Sequence, residues 1–274
     1  MGELHRRTQI DIAGIAAFEY AGHQTAQVPQ NQEIILVAPG FLRGASPEGS
    51  TVDQLASQIA AASLGKVVTF DPRGGHLSRG KKELYSVPQY VSDIVEVTAH
   101  YAKKGYETVS YVGYSIGGVA TARAVAKSPL TVRSLVLMQT PPQPTDHLHY
   151  RKFAPLFRPE DDEPGKSHVM YDDQENAVHI PHNMLAEYGR LGKVHTILEG
   201  LREQANPPKV LYLWSKRDRH VRPAAIPALV GTIEELTVHE VHDVKHDPRE
   251  PEAVRQLAQP AIAWLKSESL VVAA

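Results

Sequence analysis

Short apolar runs alternate with amphipathic helical patterns along this chain, and this alternation constrains the fold more than any other feature. The runs are rich in valine, isoleucine and leucine, and they are too short to be helices. Strands that are apolar at consecutive positions are buried on both faces, which is typical of a parallel sheet covered by helices. The pattern predicts an α/β fold with strands at residues 33–38, 66–70, 108–112, 133–138, 209–214 and 235–241.

The alternation stops near residue 141 and resumes at residue 209. Residues 143–208 are rich in proline and histidine, and no run in them predicts a strand. We expect a mainly helical cap over this segment, inserted after the sixth strand, and a core formed by residues 1–142 and 209–274. A chain of 274 residues is long enough for one α/β domain that carries such an insertion.

Local patterns predict where two helices and one hairpin begin. Thr51 followed by Gln54 has the spacing of a capping box, and so has Ser86 followed by Gln89. Residues 6–20 alternate between polar and apolar, which predicts an antiparallel hairpin at the edge of the sheet. This hairpin supplies the first two of the six strands that precede the cap.

Composition excludes several classes of function. The chain has no cysteine, so disulfides, thiolate metal sites and thiol catalysis are excluded. The formal net charge of −2 provides no basic surface to attract nucleic acid. No apolar run has the length of a signal peptide or a membrane span. We expect a cytoplasmic monomer or homodimer that binds a small-molecule substrate and neither nucleic acid nor membrane.

Residues 108–118 place a serine where a predicted strand leads into a helix. The sequence there is Gly-Tyr-Ser-Ile-Gly at 113–117, a Gly-x-Ser-x-Gly motif followed by small residues. Glycine on both sides permits a turn so tight that a Cβ atom would clash with neighbouring backbone. The free N–H groups at the start of the next helix favour negative charge near the hydroxyl. Ser115 is therefore a candidate nucleophile; the alternative is a strand-to-helix turn that uses these residues only for their shape.

The motif at 113–117 resembles the nucleophile elbow of the α/β-hydrolase superfamily, in which a catalytic acid and then a histidine follow the serine along the chain. Residues 210–218 resemble the strand and loop that hold the acid, which implies this role for Asp218. This carboxylate would lie beyond the carboxyl end of a late strand, where sheet enzymes build their sites. Its arginine neighbours leave a surface ion pair as the alternative.

The base is implied by the loop before the last predicted helix. Residues 244–254 resemble the corresponding family loop, and the resemblance assigns the base to His246. His242 and His239 are rivals, but a strand over 235–241 would direct them to a sheet face or leave them at its edge.

The resemblance also implies an oxyanion hole. In the family one N–H comes from the residue after the nucleophile, here Ile116, and a second from a loop after an early strand, here Phe41. Gly40 would let the backbone approach the substrate. The family commonly has histidine where Pro39 stands, so the contact of that histidine is absent or replaced.

A further segment, residues 71–78, resembles an Asp-x-Arg-Gly loop of the family. We expect Asp71 and Arg73 to brace neighbouring loops through charge-assisted hydrogen bonds. A contact between Arg73 and a substrate carboxylate is the alternative.

Together these matches imply a serine hydrolase that cleaves a small or medium organic ester, thioester or lactone through an acyl-enzyme. Gly40, Tyr114, Phe157 and Met184 are expected to contact the substrate. No cofactor and no metal are expected, because the six histidines of the cap have no acid in ligand register beside them. The alternatives are a lyase or cyclase that uses the same three residues, and a binding protein with slow turnover.

Overall fold

The computed structural model describes residues 7–20, 33–41, 44–62, 65–80, 85–143, 167–171, 177–181, 187, 193–231, 234 and 236–270. The strands in these residues are β1 (Arg7–Ile12), β2 (Ile15–Tyr20), β3 (Glu33–Ala38), β4 (Lys66–Phe70), β5 (Thr108–Tyr114), β6 (Thr131–Met138), β7 (Ser167–Tyr171), β8 (Ala177–Pro181), β9 (Lys209–Trp214) and β10 (Leu236–Glu240). Six of them overlap the six runs that the apolar pattern predicts.

Eight strands form one sheet in the order β1-β2-β4-β3-β5-β6-β9-β10. The six strands from β3 to β6 and β9 to β10 are parallel, because each is followed by a helix or long connection that returns the chain to the same end. The hairpin β1–β2 pairs antiparallel and joins β4 antiparallel. The expected mostly parallel sheet and its antiparallel edge hairpin are therefore confirmed.

The helices of the described residues are α1 (Thr51–Ala61), α2 (Val87–Ala102), α3 (Ile116–Ala124), α4 (Val194–Arg202) and α5 (Pro251–Leu270). None of these helices is long and apolar enough to cross a lipid bilayer.

Two helix starts were predicted from capping signals, and one of them is wrong by one residue. Ser86 caps α2, since its Oγ accepts a hydrogen bond of 3.2 Å from the N–H of Gln89. The cap of α1 is Ser50 rather than Thr51. The Thr51 hydroxyl instead donates to the carbonyl of Pro248 at 2.8 Å, a contact between chain segments that a local pattern does not reveal.

Helices cover both faces of the sheet and bury an apolar core on each. One core joins alternate strand residues such as Leu36 and Leu137 to apolar residues of α2, α3 and α4. The other joins their neighbours, for example Val37 and Val136, to residues of α1 and α5. Burial on both faces explains why these strands are apolar at consecutive positions. It also leaves the carboxyl ends of the strands as the place where polar groups meet.

The segment after β6 contains a feature that the sequence did not predict. β7 and β8 pair antiparallel as a separate two-stranded sheet, whereas we expected no strand in residues 143–208. Each strand is only five residues long and contains a histidine together with a serine or a proline, so neither stands out as an apolar run. The remainder of the predicted cap, apart from residues 143, 187 and 193–208, lies outside the described residues.

Candidate active site

Ser115 occupies a strained turn between β5 and α3. Its φ of 55° and ψ of −124° lie in a region of backbone conformation that residues other than glycine rarely adopt. The turn is held on both sides: the N–H of Ser115 donates to the carbonyl of Met138 at 2.8 Å, and its carbonyl accepts from the N–H of Gly118 at 3.0 Å. The neighbouring strand and the first helical turn therefore sustain the conformation.

Close backbone packing explains the glycines around this serine. A Cβ atom on Gly113 would lie 2.6 Å from the carbonyl oxygen of Gly117 and would also collide with Gly118 and Thr121. A Cβ atom on Gly117 would lie 2.6 Å from the carbonyl oxygen of Ala38, in β3. Helix α3 can thus begin directly against the carboxyl ends of β3 and β5.

Three side chains from distant segments form one hydrogen-bonded chain at this edge of the sheet. Ser115 Oγ lies 2.8 Å from His246 Nε2, and His246 Nδ1 lies 2.8 Å from Asp218 Oδ2. Asp218 follows β9, and His246 lies in the loop between β10 and α5. In this arrangement an imidazole that donates from Nδ1 to the carboxylate presents Nε2 as an acceptor to the hydroxyl.

The Asp218 carboxylate is buried and doubly bonded. Its side chain has no exposed surface, and its Oδ1 accepts a hydrogen bond of 2.8 Å from the N–H of His220. Burial, with the Asp218 charge as a second cause, raises the pKa of Tyr212 well above its ordinary value. Arg217 is bonded to Asp243 at 2.7 Å, so its charge is directed to the surface. Burial to this degree contradicts a purely surface role for Asp218.

The rival histidines lie elsewhere. His239 and His242 are both exposed, in β10 and just after it. They line a shallow groove between β10 and α5 rather than the carboxyl edge of the sheet. Among the three candidates, His246 is the one placed within hydrogen-bonding distance of Ser115.

The loop after β3 reaches the same edge. A Cβ atom on Gly40 would lie 3.4 Å from Ser115 Cβ and 3.3 Å from the Tyr114 ring, so glycine leaves space above the serine. Phe41 follows and packs edge-on against Tyr85, with ring centroids 6.1 Å apart. The predicted oxyanion donors, the N–H groups of Phe41 and Ile116, therefore belong to residues adjacent to this space.

A tyrosine from α2 holds the loop after β3 at Pro39. The buried Tyr90 hydroxyl, from α2, donates to the carbonyl of Pro39 at 2.5 Å. Sequence reasoning did not identify Tyr90, because its position in an amphipathic helix predicts only a core residue. This hydrogen bond ties the backbone of the loop at Pro39 to α2.

The segment 71–78 braces loops, as expected. Asp71 is buried and accepts from the N–H groups of Ser46 and Leu77, each at 3.0 Å. Arg73 is paired with Asp93 at 2.8 Å and with Glu96 at 2.6 Å, both in α2. These bonds direct the guanidinium to α2 and away from a substrate.

Other predicted contacts are only partly described. The Tyr114 ring is buried, with its centroid 6.0 Å from that of His246. Phe157 and Met184 lie outside the described residues.

His220, which sequence reasoning missed, lies with its ring centroid 4.2 Å from that of His246. In the described part of the chain, no three histidine or acidic side chains are grouped to hold a metal ion.

Comparisons with known proteins support the fold. The family model described as the alpha/beta hydrolase fold matches residues 34–162. No curated protein sequence matches the chain. A putative hydrolase from Agrobacterium vitis S4 superposes with a TM-score of 0.69 at 16% identity, covering 95% of this chain and 99% of the other.

Two further solved structures have similar values. The monoacylglycerol lipase of Paleococcus ferrophilus has a TM-score of 0.67 at 18% identity and covers 93% of this chain and 99% of its own. Est1E from Butyrivibrio proteoclasticus, solved with ferulic acid bound, has a TM-score of 0.65 at 17% identity, with 93% and 98% covered. The match over residues 34–162 and these superpositions show that the chain has the α/β-hydrolase fold.

Proposed function

We propose that this protein is a serine hydrolase that cleaves a small or medium organic ester, thioester or lactone. The hydrogen-bonded chain of Ser115, His246 and Asp218 is the observation that carries the proposal. A serine nucleophile fits acyl transfer, whereas alkyl-enzyme chemistry on this fold requires a carboxylate nucleophile. Neighbours of the same fold include a monoacylglycerol lipase, which is consistent with ester cleavage.

In the proposed mechanism, His246 Nε2 takes the proton of Ser115 as Oγ attacks the acyl carbon. The Asp218 carboxylate keeps the Nδ1 proton in place and stabilises the imidazolium. The N–H groups of Ile116 and Phe41 bind the developing oxyanion. Protonated His246 then donates to the leaving alcohol or thiol, and water hydrolyses the acyl-enzyme by the same steps with His246 again as base.

We further propose that residues 143–208 act as a cap on the core of residues 1–142 and 209–274. Phe157 and Met184 of this segment would contact the substrate, together with Gly40 and Tyr114 at the sheet edge. The position of the insertion supports this: it leaves the core after β6, at the edge where Ser115 lies.

Labelling and hydrolysis test the function together. We expect a fluorophosphonate to label Ser115 and short p-nitrophenyl esters to release p-nitrophenol. Ser115→Ala should abolish labelling and lower kcat by at least about 10³-fold. Ser134→Ala, a serine substitution at a buried position of β6, is the control and should leave both signals intact. Labelling without ester turnover would favour a lyase, a cyclase or a binding protein, and labelling that persists in Ser115→Ala would refute the nucleophile.

A further inference from the structure

Gln139 is the most unusual residue near the candidate site that the proposed mechanism does not use. It directly follows β6, has a φ of 47° and is fully buried. Its N–H donates to the carbonyl of Leu213 at 2.7 Å, so the neighbouring strand β9 holds its backbone in place. A positive φ at a residue other than glycine costs conformational free energy, and such positions concentrate where a protein binds ligands.

The side chain of Gln139 adds a second anomaly. Neither its Nε2 nor its Oε1 has a hydrogen-bond partner among the described residues, and the same holds for the hydroxyl of Thr140 next to it. Both residues are 0% exposed. More than about 90% of buried polar groups in folded proteins are bonded, because an unbonded one forfeits its hydration. Three such atoms on consecutive residues therefore point to a partner that the chain itself does not provide.

The position of Gln139 shows which partner could reach it. Tyr114 and Met138 are paired in the ladder of β5 and β6, and the N–H of Ser115 donates to Met138. Gln139 follows β6 as Ser115 follows β5, so their backbones lie about one strand spacing of 4.8 Å apart. Only 3% of Ser115 is exposed, and a substrate whose acyl carbon meets its hydroxyl would lie at the edge of the sheet where Gln139 also lies. The substrate is therefore the partner that we consider for the Gln139 amide.

We propose that Gln139, with Thr140, binds a neutral hydrogen-bonding group of the substrate, a hydroxyl or an amide close to the scissile ester. This inference rests on the proposed function and specifies its substrate class. A primary amide presents N–H donors and a carbonyl acceptor without charge, which matches a hydroxyl or amide better than a carboxylate. Binding a substrate hydroxyl also satisfies the buried amide, so an apolar analogue is disfavoured.

Two pairs of isosteric esters test the substrate class. On the acyl side, ethyl 3-hydroxybutyrate is compared with ethyl 3-methylbutyrate; on the alcohol side, 2-hydroxyethyl butyrate is compared with propyl butyrate. For the wild type we expect kcat/KM to favour the hydroxylated ester by about 10-fold in at least one pair. Gln139→Met, which keeps the side-chain length but removes both polar atoms, should reduce that ratio to below about 2-fold.

A stability measurement separates a binding role from a structural one. If the amide has no partner inside the fold, Gln139→Met removes an unsatisfied polar group and should raise Tm by about 2–4 °C. The matched control is Ser134→Ala, which removes a buried hydroxyl that also lacks a partner among the described residues. Ser134 lies in β6, five residues before Gln139, and is thus about 16 Å from it at about 3.3 Å per residue. Its substitution should leave both ester ratios unchanged.

Each outcome decides the inference. No preference for either hydroxylated ester in the wild type, or an unchanged ratio in Gln139→Met, overturns it. A Gln139→Met protein that is less stable or does not fold also overturns it, because the amide then has a structural partner. If the wild type shows neither fluorophosphonate labelling nor ester cleavage, the proposed function fails first and the inference fails with it.

Discussion

At the residue scale, the candidate site is built on backbone positions that most side chains avoid. Ser115 and Gln139 both have positive φ values, of 55° and 47°, and they follow neighbouring strands. Gly113 lies so close to Gly117 and Gly118 that no side chain fits there. Any shift of the turn moves Ser115. A substitution that destabilises the turn should therefore also displace the Ser115 hydroxyl.

A glycine substitution tests this coupling. Gly113→Ala would force its Cβ atom against backbone that cannot move aside, so we expect the free energy of unfolding to fall by about 1–3 kcal/mol and fluorophosphonate labelling of Ser115 to be lost. Gly200→Ala is the control, because a Cβ atom there meets nothing within 4 Å. In helix α4 that change should raise the free energy of unfolding by about 0.5–1 kcal/mol. Equal effects of the two substitutions in chemical denaturation would contradict the prediction.

At the scale of elements, α2 supports two of the loops at the carboxyl edge of the sheet. Its Tyr90 hydroxyl holds the carbonyl of Pro39 after β3. Its Asp93 carboxylate binds both the backbone N–H and the guanidinium of Arg73 after β4. Burial raises the pKa of Asp93 above its ordinary value, and the bonds and charge of Arg73 oppose that rise. The helix therefore positions loops that precede the serine in the chain.

Removal of the Arg73 cation should destabilise the protein in a pH-dependent way. Arg73→Met leaves the buried Asp93 without its cation. We expect the free energy of unfolding to fall by about 2 kcal/mol at neutral pH. This is less than the loss expected for a fully buried pair, because Arg73 is partly exposed. The pKa of Asp93 in the folded variant then rises further. The folded variant binds more protons than the unfolded chain, so its deficit relative to the wild type should shrink as pH falls through that pKa.

Urea titrations of Arg73→Met and wild type at several pH values measure this deficit. Arg79→Met is the control, because Arg79 and Asp11 form a pair at 3.6 Å whose side chains are 80% and 59% exposed. Its effect should be close to zero at every pH. A deficit in Arg73→Met that stays constant or grows towards acid would argue against a buried, unpaired Asp93 as its cause.

At the scale of the whole molecule, the sheet assembles a site from segments that are far apart in sequence. Ser115 and His246 are separated by 131 positions, yet β5, β9 and β10 end at one edge. Apolar cores on both faces hold the strands in register. The site can therefore stay constant while segments inserted at the edge differ, which is the physical basis for proposing residues 143–208 as a cap.

Substitutions in the proposed cap should change substrate choice. Phe157→Ala or Met184→Ala removes an apolar side chain. We expect this to change the ratio of kcat/KM between p-nitrophenyl esters of different acyl length, by an amount equivalent to about 1–3 kcal/mol per lost contact. Labelling of Ser115 by a small phosphonate should persist. Val230→Ala is the control, because Val230 is a 64% exposed apolar residue outside this segment. Loss of labelling in a folded Phe157→Ala protein would show that the segment belongs to the catalytic centre.

Local patterns in the sequence determined the strands, the parallel sheet and the glycine-flanked turn at Ser115. Such features depend on neighbouring residues: consecutive apolar positions require burial on both faces, and glycine permits a tight turn. The resemblance of residues 210–218 and 244–254 to one family added Asp218 and His246. No local pattern marks Gln139, which reads as the polar residue after an apolar strand.

Only the tertiary structure decided which groups meet. His246 rather than His242 lies beside Ser115, Arg73 is paired with residues of α2, and the Thr51 hydroxyl is bonded to the distant Pro248. The pairing of β7 with β8 is a further example, because these two five-residue strands have no apolar run or alternation from which to predict them. The physical reason is common to all of these. Each depends on a contact between residues that are not adjacent in the chain, and such contacts form only when the strands are in register and the cores are packed.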